Sequence, residues 1–243
     1  MGMIQSPTYI HFRSQWQLLG PDSPGQSFDR RCFQDLMNAL NEPPEPIDFD
    51  DFSYRSDRCE MVKIRGTRPK GGGAEFTKLI YLNDQLTLVE EWADITADEF
   101  KDKFVKVLAN WFKFFPNTAI IAQNCCLRAL VQPMNVTDSR QFLGDKILKI
   151  GEPIQNTFET MPFKVGFTVT VLRPIQNYQL VIDTTINSWR DNRSVWVQVN
   201  GSSPIAPPIN ATNPETAKVP FEHCKNFLET EAIRFLNEFD KGA

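Results

Sequence analysis

Hydrophobic positions in the first half of the chain change their spacing several times, and each change predicts a new element. Alternating apolar residues indicate strands, and apolar residues three and four positions apart indicate helices. These patterns predict one strand, one helix, three short strands and a long amphipathic helix. The predicted ranges are 8–19 for the first strand, 28–40 for the helix, 61–65, 76–82 and 86–92 for the three strands, and 100–115 for the long helix.

The second half repeats this order of patterns with different residues. A long apolar strand is followed by a short helix after Asp138, which Gly151 and Pro153 are expected to end. A three-stranded meander, a proline-rich connector and a closing helix come next. The predicted ranges are 119–131 for the long strand, 165–171, 178–186 and 195–199 for the meander, 201–214 for the connector and 221–239 for the closing helix.

Together, the two halves predict an α+β fold with antiparallel sheets backed by helices. The order reads as two pseudo-repeated β-α-β-β-β-α halves, at 1–117 and 118–243, which we expect to pack as one unit. Little residue identity links the halves, so a true duplication and a chance similarity of order both remain open. The best-defined boundary is the start of the long helix, where Thr96 and Glu99 have the spacing of a capping box.

Composition excludes some classes of partner. The formal net charge is −4, which argues against nucleic acid or an anionic membrane as the main partner, because both need a basic surface. No run of about 18 apolar residues predicts a membrane span. The five cysteines include no C-x-x-C pair, and the first residues lack the pattern of a secretory signal, so we expect a cytoplasmic protein with reduced thiols.

No group of residues has the spacing of a known catalytic or metal-binding motif. His11 lies on a predicted strand without a nearby carboxylate, and His223 and Cys224 are helix neighbours that do not face each other. Cys125 and Cys126 are expected on opposite faces of a strand, with at least one of them in the core. We therefore expect no cofactor and no metal, and we lean towards a protein that is not an enzyme.

Three residues of the second half form the candidate ligand site. Asp183 interrupts an apolar strand, and Arg128 in the other long strand could hold it in a buried ion pair. Such a pair would be structural or would bind a ligand. If the halves enclose a cleft, Arg128, Asp183 and Trp196 would line it and bind a small molecule.

The loop 65–73 combines positive charge with three consecutive glycines. Backbone amides could approach an anion there, and Arg65, Arg68 and Lys70 would neutralise it. A strand follows the loop, whereas a P-loop requires a helix. We interpret the loop as a hairpin tip, with an anion contact, nucleic acid included, as the alternative.

The long helix carries more aromatic residues than one face can hold. Trp111, Phe112 and Phe114 spread around it, so either the helix is covered on two sides or Phe112 and Phe114 contact a partner subunit. We favour the second interpretation. The leading functional prediction is a non-catalytic cytosolic binding or interaction protein that self-associates, and a small-molecule-binding domain is the alternative.

The order of elements also resembles a sporadically distributed family of uncharacterised bacterial proteins. Members combine a central aromatic helix, an arginine-containing strand and a late acidic strand before a C-terminal helix. The segments that carry the resemblance are Val89-Glu90-Glu91-Trp92, Leu127-Arg128, Leu180-Val181-Ile182-Asp183 and Phe221-Glu222-His223. The resemblance implies a shared fold over most of the chain and no particular activity.

Overall fold

A computed structural model describes residues 6–20, 29–55, 58–67, 73–160, 162–175, 178–191 and 193–240 of the chain. Within these residues, nine strands form one antiparallel sheet in the order β2-β3-β4-β5-β1-β6-β9-β8-β7. The strands are β1 (Thr8–Leu19), β2 (Asp51–Tyr54), β3 (Arg58–Thr67), β4 (Ala74–Leu82), β5 (Gln85–Glu91), β6 (Ala119–Val131), β7 (Gly166–Ile175), β8 (Tyr178–Ser188) and β9 (Val195–Ile209).

Helices back this sheet, so the predicted α+β class is confirmed. They are α1 (Arg30–Asn41), α2 (Ala97–Phe114), α3 (Ser139–Gln141), α4 (Gly151–Phe158), α5 (Lys218–Asn226) and α6 (Ile233–Phe239). A π-helical segment, Phe142–Ile147, follows α3, and a second one, Phe227–Ala232, joins α5 to α6 into one C-terminal helix. In the part of the chain that the structure describes, no helix is both long enough and apolar enough to cross a membrane.

The strands β1 and β6 join the two halves of the chain in the middle of the sheet. β1 pairs with β5 on one side and with β6 on the other, and its ladder with β6 runs from Thr8 opposite Leu130 to Leu19 opposite Ala119. The halves therefore share one sheet, and a ligand-binding cleft between them stays a prediction. The first half has four strands after α1 and the second has three after α4, and a duplication stays a prediction.

Alternate residues of each strand face either the helices or the opposite side of the sheet, which we call the open face. On the helix face, Phe12 and Trp16 of β1 are fully buried and contact Phe100 and Phe104 of α2. On the open face, the middle of the sheet is polar because the same strands place charged, amide and hydroxyl side chains there. These open-face residues include Arg13, Gln15, Gln85, Asn124, Gln198 and Asn200.

The helix α2 begins as its capping box predicts. The Glu99 amide donates to Thr96 Oγ1 at 3.2 Å, and the Thr96 amide donates to Glu99 Oε2 at 2.6 Å. These bonds satisfy amides that have no partner inside the first turn. The prediction of a helix start directly after Thr96 is confirmed.

The aromatic side chains spread around α2 pack inside the protein. Trp111 is fully buried, Phe112 is 3% exposed, and Phe114 packs against the core while remaining half-buried. The physical reason is that α2 lies between the sheet, α1 and α5, so neighbours cover it on more than one side. Trp111 and Phe112 are therefore not available to a partner subunit, and a partner contact by the half-buried Phe114 stays a prediction.

Two regular segments and the extension of a third were not predicted. β2 lies in the acidic stretch after α1, and α4 begins at Gly151, where the sequence predicts a helix end. β9 continues to Ile209 through the predicted connector, although that connector contains Pro204, Pro207 and Pro208. Proline is tolerated there because the ladder with β8 ends at Ser202, so beyond it β9 is an edge on that side and needs no amide.

Candidate functional site

A cavity of about 230 Å³ lies at one end of the open face, and we call it the tryptophan pocket. Typical pockets for drug-sized ligands occupy roughly 300–1,000 Å³, so this one suits a compact ligand. Residues from both halves of the chain line it. They are Ile10, Glu91, Trp92, Arg128, Lys164, Asn187, Ser188, Trp189 and Trp196.

The sheet register brings two of the predicted ligand residues together. Arg128 of β6 lies opposite Gln198 of β9, and Trp196 lies opposite Leu130, so Trp196 is the diagonal neighbour of Arg128. Diagonal neighbours on antiparallel strands are within reach of long side chains. The prediction that Arg128 and Trp196 share a cavity agrees with this geometry, although the cavity lies on a sheet face.

Two cations reach the tryptophan pocket. Arg128 Nε donates to Gln198 Oε1 at 2.7 Å, and this contact fixes the plane of the guanidinium. Lys164 Nζ lies 5.9 Å from the centre of the Trp196 ring, which is within the range of a cation–π contact. The pocket therefore combines positive charge with flat apolar walls.

A histidine–carboxylate pair adjoins this cavity. His11 Nδ1 lies 2.6 Å from Glu91 Oε2, and His11 is 5% exposed. Burial lowers the pKa of His11, and the nearby Arg128 acts in the same direction, while the hydrogen bond to Glu91 acts against it. A neutral imidazole that donates from Nδ1 leaves Nε2 as an acceptor, and this buried atom has no partner among the described residues.

The expectation that His11 has no carboxylate beside it is wrong. Glu91 lies far away in sequence, and only the β1–β5 ladder places the two residues opposite each other. The sequence indicated that both residues lie on strands. It did not indicate that these two strands are neighbours in the sheet.

Asp183 does not belong to this site. It lies on the open face of β8, opposite Asn200, and accepts a hydrogen bond from Thr170 Oγ1 at 2.6 Å. The described residues include no Arg128–Asp183 ion pair. β9 separates β8 from β6, and the Asp183 carboxylate contacts the neighbouring strand β7 instead. The hypothesis of a buried pair between them is wrong.

Arg65, the first cation of the predicted anion loop, points towards the interior of the protein. Arg65 forms an ion pair with Glu90, donates to Thr77 Oγ1 at 2.9 Å, and reaches the carbonyl oxygens of residues 91 and 92. These contacts leave Arg65 committed to the core side of the sheet. Arg68 and Lys70 lie outside the described residues, so a contact between these two and an anion stays a prediction.

The free cysteines offer no reactive thiol near the tryptophan pocket. All five are free, and burial raises the pKa of Cys59 and of Cys125 to about 12. Cys125 faces the helices and Cys126 the open face, as predicted, and both are buried. A thiol with so high a pKa stays protonated at neutral pH and is a poor nucleophile.

Comparison with known proteins identifies no family for this chain. No protein-family model matches the chain, and no curated protein matches it in sequence. The resemblance to the sporadically distributed bacterial family stays a prediction. Inference about function therefore depends on the chemistry of the site.

Proposed function

We propose that the protein binds a compact aromatic carboxylate in the tryptophan pocket. The observation that carries this proposal is the convergence of Arg128 and Lys164 with the rings of Trp189 and Trp196 in one cavity. The cations supply charge for an anionic group, and the indole rings supply flat surfaces for a ring. A single ring with one anionic substituent suits a volume of about 230 Å³.

The charges around the cavity support an anion over a cation. Glu91 lines the cavity and keeps its negative charge, because its partner His11 is neutral, but the two cations Arg128 and Lys164 outnumber it. Arg128 is positioned by a neutral amide, so its charge is not cancelled by that contact. A carboxylate that meets a guanidinium forms charge-assisted hydrogen bonds, which are about twice as strong as neutral ones.

The experiment is calorimetric titration of the full chain with benzoate, benzamide, benzylamine and acetate. Benzoate is expected to bind most tightly, since it alone has both the ring and the negative charge. Arg128→Gln is expected to weaken benzoate binding by about tenfold or more, because a hydrogen bond to a charged group contributes about 1.5–3 kcal/mol. Benzamide binding should change much less.

Arg13→Gln is the matched control. Arg13 lies on the same open face, opposite Cys126, but does not line the tryptophan pocket. It should leave benzoate affinity unchanged. Equal binding of benzoate and benzylamine, or equal losses in the two arginine variants, would overturn the proposal.

Self-association and a cytoplasmic location stay predictions. Burial of Trp111 and Phe112 leaves only the half-buried Phe114 of the residues from which self-association was predicted. Light scattering on a size-exclusion column tests it directly: a mass of one chain across a wide concentration range would reject it.

A further inference from the structure

A second cavity lies on the helix face, and its lining is more apolar than that of the tryptophan pocket. It has a volume of about 300 Å³ and lies between β7, β8 and the C-terminal helix. We call it the β7 groove. Its lining residues are Phe167, Val169, Val171, Thr184, Ile186, Phe227, Glu231, Ala232, Arg234 and Phe235.

The groove lies where the C-terminal helix contacts β7 only at single side chains, as between Phe235 and Phe167. β7 is the last strand, and its helix-face residues 167, 169 and 171 remain partly accessible, with Val169 48% exposed. Toward the centre of the sheet, the helix-face residues of β8 and β9 are closed over, as for Ile182 and Val199. Along β7, Phe167 to Val171 span about 13 Å at roughly 3.3 Å per residue, which is long enough for an alkyl chain of medium length.

One polar group inside the groove lacks a partner. Thr184 is 3% exposed, and its hydroxyl oxygen makes no hydrogen bond within the described residues. It lies opposite Val169 in the β7–β8 ladder, in the middle of the groove. Buried hydroxyl groups are normally hydrogen-bonded, so we expect this one to donate to an oxygen atom of a bound ligand.

The rim of the groove carries an uncompensated cation. Arg173 forms an ion pair with Glu231, and its guanidinium lies 5.8 Å from the centre of the Phe227 ring. Arg234 is exposed and has no ion pair within the described residues. The pair is neutral as a unit, so Arg234 gives the rim a net positive charge.

The backbone of the helix is irregular where it forms the wall. Phe227, Glu231 and Ala232 belong to the π-helical segment that joins α5 to α6. Such segments are rare in helices and occur frequently at functional sites. This observation is independent of the charge and of the unpaired hydroxyl.

We propose that the β7 groove is a binding site for a medium-chain aliphatic carboxylate. The alkyl chain lies against Phe167, Val169 and Phe235. The carboxylate meets both remaining polar features, accepting a hydrogen bond from Thr184 and pairing with Arg234. This site is separate from the tryptophan pocket and does not depend on the function proposed for it.

The test is calorimetric titration of the full chain with decanoate, decanol, decylamine and acetate, at concentrations below micelle formation. Decanoate is expected to bind at least tenfold more tightly than decanol and decylamine, and acetate is expected not to bind. Val169→Asp should weaken decanoate binding at least tenfold, because Val169 lies opposite Thr184 and the new negative charge would lie beside both the bound carboxylate and the start of its chain. Leu172→Asp is the matched control, since Leu172 is a comparably exposed residue of the same strand on the open face.

Arg234→Gln gives a second test that an altered fold cannot imitate. Arg234 is exposed on the helix, so its replacement should leave the fold intact and should remove the preference for decanoate over decanol. Trp196→Leu should leave decanoate binding unchanged, which separates this site from the tryptophan pocket. Equal affinities for decanoate and decanol in the unaltered chain, or equal losses in the two aspartate variants, would overturn the proposal.

Discussion

Glu90 and Glu91 are adjacent in sequence and lie on opposite faces of the sheet, where they have different roles. Glu90 faces the helices, is fully buried, and accepts from Thr77 Oγ1 at 2.9 Å and from Lys103 Nζ at 3.0 Å. Arg65 completes its set of partners. Glu91 faces the open side, has a side chain 28% exposed, and within the described residues forms an ion pair with His11 alone.

This difference shows that one strand can face two different environments, one covered by helices and one open. The side that the helices cover must pair every buried charge, because an unpaired charge there is costly. The open side tolerates incomplete pairing, since water or a ligand can complete it. Cavities and unpaired polar atoms on that side are therefore more informative about function than the well-satisfied cluster around Glu90.

Replacing Glu90 should give the largest effect on stability. Glu90→Gln leaves the charges of Arg65 and Lys103 near each other without their carboxylate. Breaking a buried ion pair by removing one partner costs about 3–5 kcal/mol, and the partial exposure of the two cations places this case near 3 kcal/mol. The free energy of unfolding from urea titration measures it.

Glu91→Gln is the control for that variant. Its carboxylate is partly exposed, and its partner His11 is held neutral by a lowered pKa, so the loss should stay below about 1 kcal/mol. Similar losses in the two variants would show that the two faces do not differ as described.

A second pair of neighbours tests the same contrast through packing. Gly201 of β9 faces the C-terminal helix, and a Cβ atom there would lie 2.2 Å from Cys224 Sγ. Gly201→Ala should therefore destabilise the protein by about 1–3 kcal/mol through overpacking. Ser202→Ala, at the next and exposed position, should change the free energy of unfolding by less than about 0.5 kcal/mol.

Combining the Gly201 substitution with a smaller neighbour sharpens the result. The double variant Gly201→Ala with Cys224→Ala removes the contacting sulfur and should recover part of the lost stability. If the loss of stability in the double variant equals the sum of the losses in the two single variants, the cost of Gly201→Ala comes from the strand backbone and not from the contact with Cys224.

The smallest expected effect concerns pH. The pKa of His11 is lower in the folded protein than the unfolded value of about 6.5, so below that pH the unfolded chain takes up the proton first. Stability should therefore fall as the pH drops from about 6.5 through the folded pKa. Each unit of pKa difference corresponds to about 1.4 kcal/mol.

His11→Gln should flatten this part of the pH profile, as measured by urea unfolding between pH 7.5 and pH 5. The charged groups that face His11 are Glu91, Arg128 and Arg13, and all three remain in the variant. His223→Gln, at an exposed position on α5, is the matched control and should retain the slope. A profile unchanged by loss of His11 would contradict the neutral, buried imidazole.

Local patterns were sufficient for the elements with strong periodicity. The capping residues Thr96 and Glu99 are only three positions apart in the chain, so the start of α2 could be predicted from sequence. β2 and α4 could not, because β2 has only four residues and neither element buries any residue fully. Where little apolar surface is buried, the hydrophobic pattern carries little information about structure.

The sequence by itself determined the α+β class, the position of most strands and helices, and the candidacy of Arg128 and Trp196. The tertiary structure alone decided that both halves share one sheet, that His11 meets Glu91, and that Asp183 does not meet Arg128. The physical reason is that periodicity records which side of an element is buried, a local property. Strand order and register depend on contacts between distant segments, and those contacts determine which side chains form a site.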